Sequence, residues 1–288
     1  MPIDYEVEYN NRARVPEHPQ IFAGWERDAA AFREEAAAQK RAELGIKFGP
    51  STRQIIDLFI PEGGSMDTLA MFVHGGYWRS LEPSMFSHMA KGLNARGIAV
   101  AVSGYDLAPQ VSIVDIIAQT QRACLYLWWR FHKRVMVTGH SAGGHLATRI
   151  VSQPSPLSAE VFGRVRRVVS ISGVHDLRPL MKTAMNAELR IDMAEARAES
   201  PALLEPVAGT RLVAWVGGAE RSRATAAAAA DGSMRNDCSA MTWWPNRVTM
   251  SSSRCCSVTP STAATAAISA ITTAAVIPSL SSGHVVTR

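Results

Sequence analysis

The chain has 288 residues, 47% hydrophobic and 19% charged, enough apolar material for one large globular domain and too much for disorder throughout. Its 30 basic and 25 acidic residues leave a net charge of +5, but six arginines face only Asp231 and Asp237 beyond position 220, so the rest is nearly neutral and neither nucleic acid nor an anionic membrane is implied as a partner. Cys238, Cys255 and Cys256 also fall beyond 220, leaving Cys124 alone in the body: no disulfide framework, no thiolate metal spacing, and a reducing cytoplasm as the expected compartment.

In chain order, the opening MPIDYEVEYNNRARVPEHP is polar and acidic and lacks the apolar run of a secretory signal. Pro16 to Leu44, charged and Ala-rich, predicts a helical cover. Arg53–Ile60 reads as a strand ended by Pro61 and the turn residues Gly63 and Gly64. Short apolar runs then recur at Leu69–Val73, Ile98–Val102, Val135–Thr138, Val168–Ile171 and Leu212–Val216. Helix-like stretches at Met85–Ala95, Val114–Phe131 and Ala142–Ser152 lie between them. Such alternation predicts an α/β fold, a mostly parallel sheet with crossover helices on both faces. There is no internal repeat.

The composition breaks after Glu220. From Arg221 onward there is no Lys, Glu, Phe or Tyr, and Ala, Ser and Thr make up about half the residues. This predicts a folded body over 1–220, with the N-terminal cover at about 16–44, and an aberrant, poorly ordered segment over 221–288. The uncharged run Cys255–Thr287 is rich in Ser and Thr and broken by Pro260 and Pro278, so it is not read as a membrane span.

Gly139-His140-Ser141-Ala142-Gly143 carries the strongest chemical signal, because it joins the predicted strand Val135–Thr138 to the predicted helix starting at Ala142. A strand, sharp turn and helix around G-x-S-x-G lift the Ser141 hydroxyl clear of the backbone and leave the Ala142 amide aimed at a reacting carbonyl. His74-Gly75-Gly76-Tyr77-Trp78-Arg79 follows an earlier strand. There Gly75 and Gly76 can bring backbone amides up to a developing oxyanion, and Tyr77 and Trp78 are expected to wall an acyl or aryl pocket.

With HGGYWR at 74–79, GYDLAP at 104–109, GHSAGGHLA at 139–147, SGVHDLRPL at 172–180, ESPALLEP at 199–206 and the opening EYNNRARVPEHP at 8–19, the chain resembles the α/β-hydrolase family. Within it the likeness is to the esterase branch that includes kynurenine formamidase (arylformamidase). The resemblance runs nearly continuously from Asp4 to Glu220 and stops. It implies an α/β-hydrolase fold and hydrolysis of an aryl formamide such as N-formylkynurenine, or of short-chain carboxyl esters, through an acyl-enzyme on Ser141. No cofactor or metal is called for. The partner is a small-molecule substrate, and oligomeric state is left open.

The resemblance also requires an acid after the seventh strand and a His after the eighth. Glu220, closing Val216-Gly217-Gly218-Ala219-Glu220, is the candidate acid, with Asp176 as the alternative; Asp106 is expected to order the loop around Tyr105 and Pro109. None of the eight His is well placed as a base. His284 is a weak candidate, because no strand-like segment precedes it. The eighth strand and last helix are thus expected to be missing or aberrant.

A change of reading frame after about Glu220 accounts for both the break and the missing His. Met241-Thr242 must be ATG-ACN, so a one-base shift produces a stop. With Arg247 as CGN and Ser251 as TCN, a two-base shift permits Asp-Val-Val-Ala-Glu-Pro-Gly-His-His-Val over 242–251. That is an apolar strand running into Gly-His-His, although each His position also permits Tyr, Asn or Asp. The expected consequence is an impaired enzyme, or an inactive homologue acting at most as a binding protein.

Overall fold

The computed structural model describes residues 3–64, 66–163, 165 and 167–216, and the backbone of 239–244 and 247–252. The predicted strand segments are strands: β2 (Ile55–Phe59), β3 (Thr68–Val73), β4 (Ala99–Ser103), β5 (Arg134–His140), β6 (Arg167–Ile171) and β7 (Arg211–Val216); β1 (Ala42–Lys47) precedes them, and β8 (Ser239–Trp244) and β9 (Arg247–Ser252) follow. Their order in the sheet is β1-β2-β4-β3-β5-β6-β7-β8-β9. β4, β3, β5, β6 and β7 run parallel, whereas β2 is antiparallel to both its neighbours.

The central strands read as continuous apolar runs because both faces are covered. Leu69, Met71 and Val73 of β3, Ala99 and Ala101 of β4, and Val135 and Val137 of β5 point into one core, which also takes Ile113, Ile116, Leu127 and Leu146. The intervening Ala70, Phe72, Val100, Val102 and Met136 point into a second core with Trp25, Phe32, Phe86 and Leu93. Each fully buried side chain of this size contributes about 1.5–3 kcal/mol. The chain opens with two short helices, α1 (Tyr5–Tyr9) and α2 (Asn11–Arg14), and then α3 (His18–Ala38). α3 and a 3-10 segment, Pro83–Ala90, that runs into α4 (Lys91–Asn94) cover the second core. α5 (Ile113–Phe131) and α6 (Ala142–Arg149) cover the first.

Two local expectations shift. The cover predicted over 16–44 ends at Ala38, and an edge strand, β1, follows it. Only Ile46 of β1 is buried, so the strand has almost no apolar pattern to read. Met85–Ala95 is mostly 3-10 helix rather than α-helix, entered through Pro83. No helix among the described residues is long and apolar enough to cross a membrane.

Beyond β7 the sheet changes direction. β8 runs antiparallel to β7, with Val216 opposite Ser239 and Leu212 opposite Trp243, and β9 returns antiparallel to β8. The remaining residues of 221–288 lie outside the described residues, so the expectation of a poorly ordered segment falls there.

Candidate active site

Sheet register assembles the site. β3 and β5 are parallel neighbours with Val73 opposite Gly139, so the loops leaving their carboxyl ends emerge side by side. One loop carries Gly75 and Gly76, the other Ser141. The approach is close enough to require glycine at two places. A Cβ on Gly75 would sit 2.9 Å from the His140 carbonyl oxygen and 3.1 Å from the Ser141 Cβ, and one on Gly143 would sit 2.0 Å from the Val73 carbonyl oxygen.

Ser141 stands at the β5–α6 junction with φ 56° and ψ −117°, a conformation that non-glycine residues rarely adopt. It is held there from both sides: its amide donates to the Ile171 carbonyl at 2.8 Å, and its carbonyl accepts from the amides of His145 at 3.1 Å and Val174 at 3.4 Å. Tyr77, Trp78, Leu81 and Ser172 also have positive φ, so backbone strain gathers at the carboxyl ends of β3, β5 and β6. The Ser141 hydroxyl has no hydrogen-bond partner among the described residues, and neither do the amides of Gly75, Gly76 and Ala142. Ala142 is the first residue of α6, where amides lack an intrahelical acceptor and the helix dipole favours negative charge. The arrangement can present three N–H donors to an oxyanion beside a hydroxyl nucleophile.

The loop carrying Gly75 is braced by residues that sequence reasoning did not single out for this task. The His74 ring stacks on Tyr105 at 4.2 Å and on Phe86 at 5.7 Å. The Tyr105 hydroxyl donates to the His74 carbonyl at 2.9 Å. His74 Nδ1 lies 2.7 Å from the Gly75 carbonyl, which makes it the protonated nitrogen. Asp106 anchors the neighbouring loop that carries Tyr105, accepting from the Ser51 hydroxyl and from the Gln54 and Gln119 amides at 2.8 and 3.1 Å. The GYDLAP motif was the available signal.

Tyr77 is half-buried and its hydroxyl donates to the Tyr9 carbonyl at 2.6 Å. Trp78 lies in the first core, edge-on to His145 at 5.0 Å. The Asp176 carboxylate is engaged by Arg178, at 2.9 Å from Nε and 2.7 Å from Nη2. Glu220 and His284 lie outside the described residues.

No imidazole among the described residues hydrogen-bonds the Ser141 hydroxyl. Burial lowers His74, His88, His140 and His175 to about 4 and His145 to about 3, so all are neutral at pH 7. Their ring contacts are structural: His145 Nε2 donates to the Glu199 carbonyl at 2.7 Å, His175 Nε2 lies 3.1 Å from the Ser170 hydroxyl, and His140 packs edge-on to Trp25. At the far end of α6, Arg149 Nε meets Glu199 Oε2 at 2.6 Å in a nearly buried ion pair.

Comparison with known proteins agrees with this architecture. The model of the alpha/beta hydrolase family matches residues 70–284. Kynurenine formamidase of Salmo salar is 29% identical over 176 residues, 60% of either chain. That of Drosophila melanogaster is 34% identical over 143 residues, 47% of this chain and 46% of its own. The chain therefore spans 60% or less of these curated relatives. A crystal structure of a candidate thioesterase from Silicibacter superposes with a TM-score of 0.73 at 36% identity, covering 78% of this chain and 85% of that one. With a parallel sheet of this order, a strained serine between β5 and α6, and a family match over most of its length, the chain belongs to the α/β-hydrolase family.

Proposed function

We propose that the body of this chain is built to hydrolyse an aryl formamide of the N-formylkynurenine kind, with short-chain carboxyl esters as the second substrate class. The observation that carries the reading is Ser141, strained at the β5–α6 turn with Gly75 packed against its Cβ. In this mechanism the Ser141 oxygen attacks the formyl carbon and its proton passes to a His base. The amides of Gly75, Gly76 and Ala142 hold the oxyanion. The carbon–nitrogen bond then breaks, the arylamine takes the proton, and water releases formate from the acyl-enzyme. Glu220 orients the base. The formamidase relatives favour the formamide, and the candidate thioesterase favours acyl esters. Cys124, buried and the one cysteine among the described residues, suits a reducing cytoplasm.

We further infer that the chain as written is impaired in this chemistry, because its frame changes after about Glu220. Two observations support this. No described imidazole reaches Ser141, and β8 runs antiparallel to β7, so Trp244 emerges at the edge of the sheet opposite the nucleophile. A His delivered next to Ser141 calls for a parallel eighth strand.

The test compares three proteins on N-formylkynurenine and p-nitrophenyl acetate: the chain as written, its Ser141→Ala variant, and the chain re-registered by two bases after the Glu220 codon. Enzyme-like turnover only in the re-registered form is expected, lost on Ser141→Ala in that form. Equal turnover with and without Ser141 removes the nucleophile assignment. Enzyme-like turnover by the chain as written removes the frame assignment.

A further inference from the structure

The loop that carries Gly75 and Gly76 is gripped by its carbonyl oxygens. A trans peptide bond points its C=O and its N–H in opposite directions, so holding the oxygen aims the amide. The His74 carbonyl, on the peptide that carries the Gly75 N–H, accepts from the Tyr105 hydroxyl at 2.9 Å. The Gly75 carbonyl, on the peptide that carries the Gly76 N–H, accepts from His74 Nδ1 at 2.7 Å. On the far side of Gly76, its own carbonyl accepts from the Arg79 amide at 3.1 Å and from the Ser80 hydroxyl at 2.9 Å.

This last grip holds the most strained part of the loop. The Gly76 carbonyl and the Arg79 amide close a four-residue turn whose central residues, Tyr77 and Trp78, have φ of 50° and 57°. Positive φ at both centres is the type I′ arrangement, which suits Asn and Gly and which large side chains avoid. Reversing the Gly76–Tyr77 peptide would return Tyr77 to negative φ and draw the Gly76 carbonyl away from Ser80. Gly76, at φ 117°, has no side chain to resist that rotation. Resistance comes from the donors on its carbonyl and from Ser80 pressed against it, where a Cβ on Gly76 would lie 2.1 Å from the Ser80 carbonyl oxygen.

Ser80 is backed in turn by the N-terminal helices. Its hydroxyl gives its one proton to the Gly76 carbonyl and accepts from Arg12 Nη2 of α2 at 2.9 Å. A cation donating to a hydroxyl polarises it into a stronger donor. The Arg12 guanidinium lies over the Phe22 ring of α3 at 5.6 Å, and the Tyr77 hydroxyl ties the same turn to the Tyr9 carbonyl of α1 at 2.6 Å.

We propose that Arg12 and Ser80 are positioning residues for the oxyanion site. Arg12 orients the Ser80 hydroxyl, the hydroxyl pins the Gly76 carbonyl, and the pinned peptide keeps the Gly76 N–H aimed beside Ser141. The proposal rests on the reading of Ser141 as nucleophile with Gly76 among its oxyanion donors.

The test is the rate at which diethyl fluorophosphate labels Ser141 of the full chain, followed by mass spectrometry of the peptide that holds it. The Ser141 oxygen bonds to phosphorus, fluoride leaves, the serine proton passes to solvent, and the phosphoryl oxygen takes the oxyanion position. Ser80→Ala is expected to slow labelling about tenfold, less than the roughly 10²–10³ lost when an oxyanion donor is deleted. Ser80→Thr, which keeps the hydroxyl, recovers the rate. Arg12→Met slows labelling about two- to threefold in the parent and has no further effect once Ser80 is Ala. Rates unchanged by Ser80→Ala, or a loss that Ser80→Thr does not recover, overturn the proposal and leave the nucleophile in place. An Arg12→Met effect of the same size with and without the Ser80 hydroxyl overturns it as well. Absence of label from Ser141 in the parent removes the nucleophile reading and this proposal together.

Discussion

Replacing Glu199 by Ala leaves the Arg149 guanidinium stranded. The two side chains are only 7% and 12% exposed, so water can take over little of the lost partner's work. Breaking a buried pair from one side costs about 3–5 kcal/mol. Arg149 Nη1 keeps the Pro154 carbonyl at 2.8 Å and the Ser152 carbonyl at 3.3 Å, which places the expected loss at the lower end, about 3 kcal/mol. At roughly 2–4 °C per kcal/mol for a body of this size, Tm falls by about 6–12 °C. Urea unfolding followed by tryptophan fluorescence measures the change directly. The control is the double variant Arg149→Met with Glu199→Leu, which removes both charges and fills the space; it is expected to return to within about 1 kcal/mol of the parent. A Glu199→Ala variant within about 0.5 kcal/mol of the parent refutes the reasoning, since the guanidinium must then be hydrated. Because the Glu199 carbonyl also holds His145 on α6, the helix that begins next to Ser141 loosens together with the pair.

Gly143→Ala forces a Cβ against the Val73 carbonyl and is expected to cost about 3 kcal/mol or more; an unfolding midpoint unchanged from the parent contradicts the close approach. The buried histidines set the acid limit. Their folded-state pKa values of about 3–4 lie below the free value of 6.5, so the unfolded chain binds more protons between those limits. Stability therefore falls as pH drops from about 6.5 towards 4 and is flat in these groups above about 7.5. His88, whose two ring nitrogens have no partner among the described residues, is the cleanest probe: His88→Leu makes the acid-side slope shallower, and an unaltered slope counts against it. Tyr105→Phe removes the hydroxyl that holds the His74 carbonyl and costs about 1 kcal/mol in urea unfolding; a change under ~0.3 kcal/mol means that stacking alone braces the loop.

Features whose cause is local were legible in the sequence. β3 to β7 announce themselves as short apolar runs because the sheet is covered on both faces, and the serine turn is written in consecutive residues. β1 was not legible, since an edge strand with Glu43, Leu44 and Gly45 turned outward has no apolar pattern. Nor was the burial of His88 and His175, which depends on elements distant in sequence closing over them. The cavity lined by Tyr9, Arg12 and Tyr77 needs α1 and α2 to fold back across Tyr77, a contact that no spacing encodes. The acid and the base stayed out of reach for a different reason: their candidate positions, Glu220 and His284, fall beyond the compositional break or at its edge.

The bonds that fix Ser141 have a consequence for the order of synthesis. The Gly75 loop, the β5 turn, α6 and the Ile171 and Val174 backbone groups that hold the serine all lie before Gly209. A ribosome adding ~5–20 residues per second still has on the order of ten seconds of work left when Val174 has been made. The nascent chain can therefore set the strained Ser141 turn before roughly its last hundred residues exist. A change in the gene beyond the Val174 codon leaves the residues that make these bonds untouched.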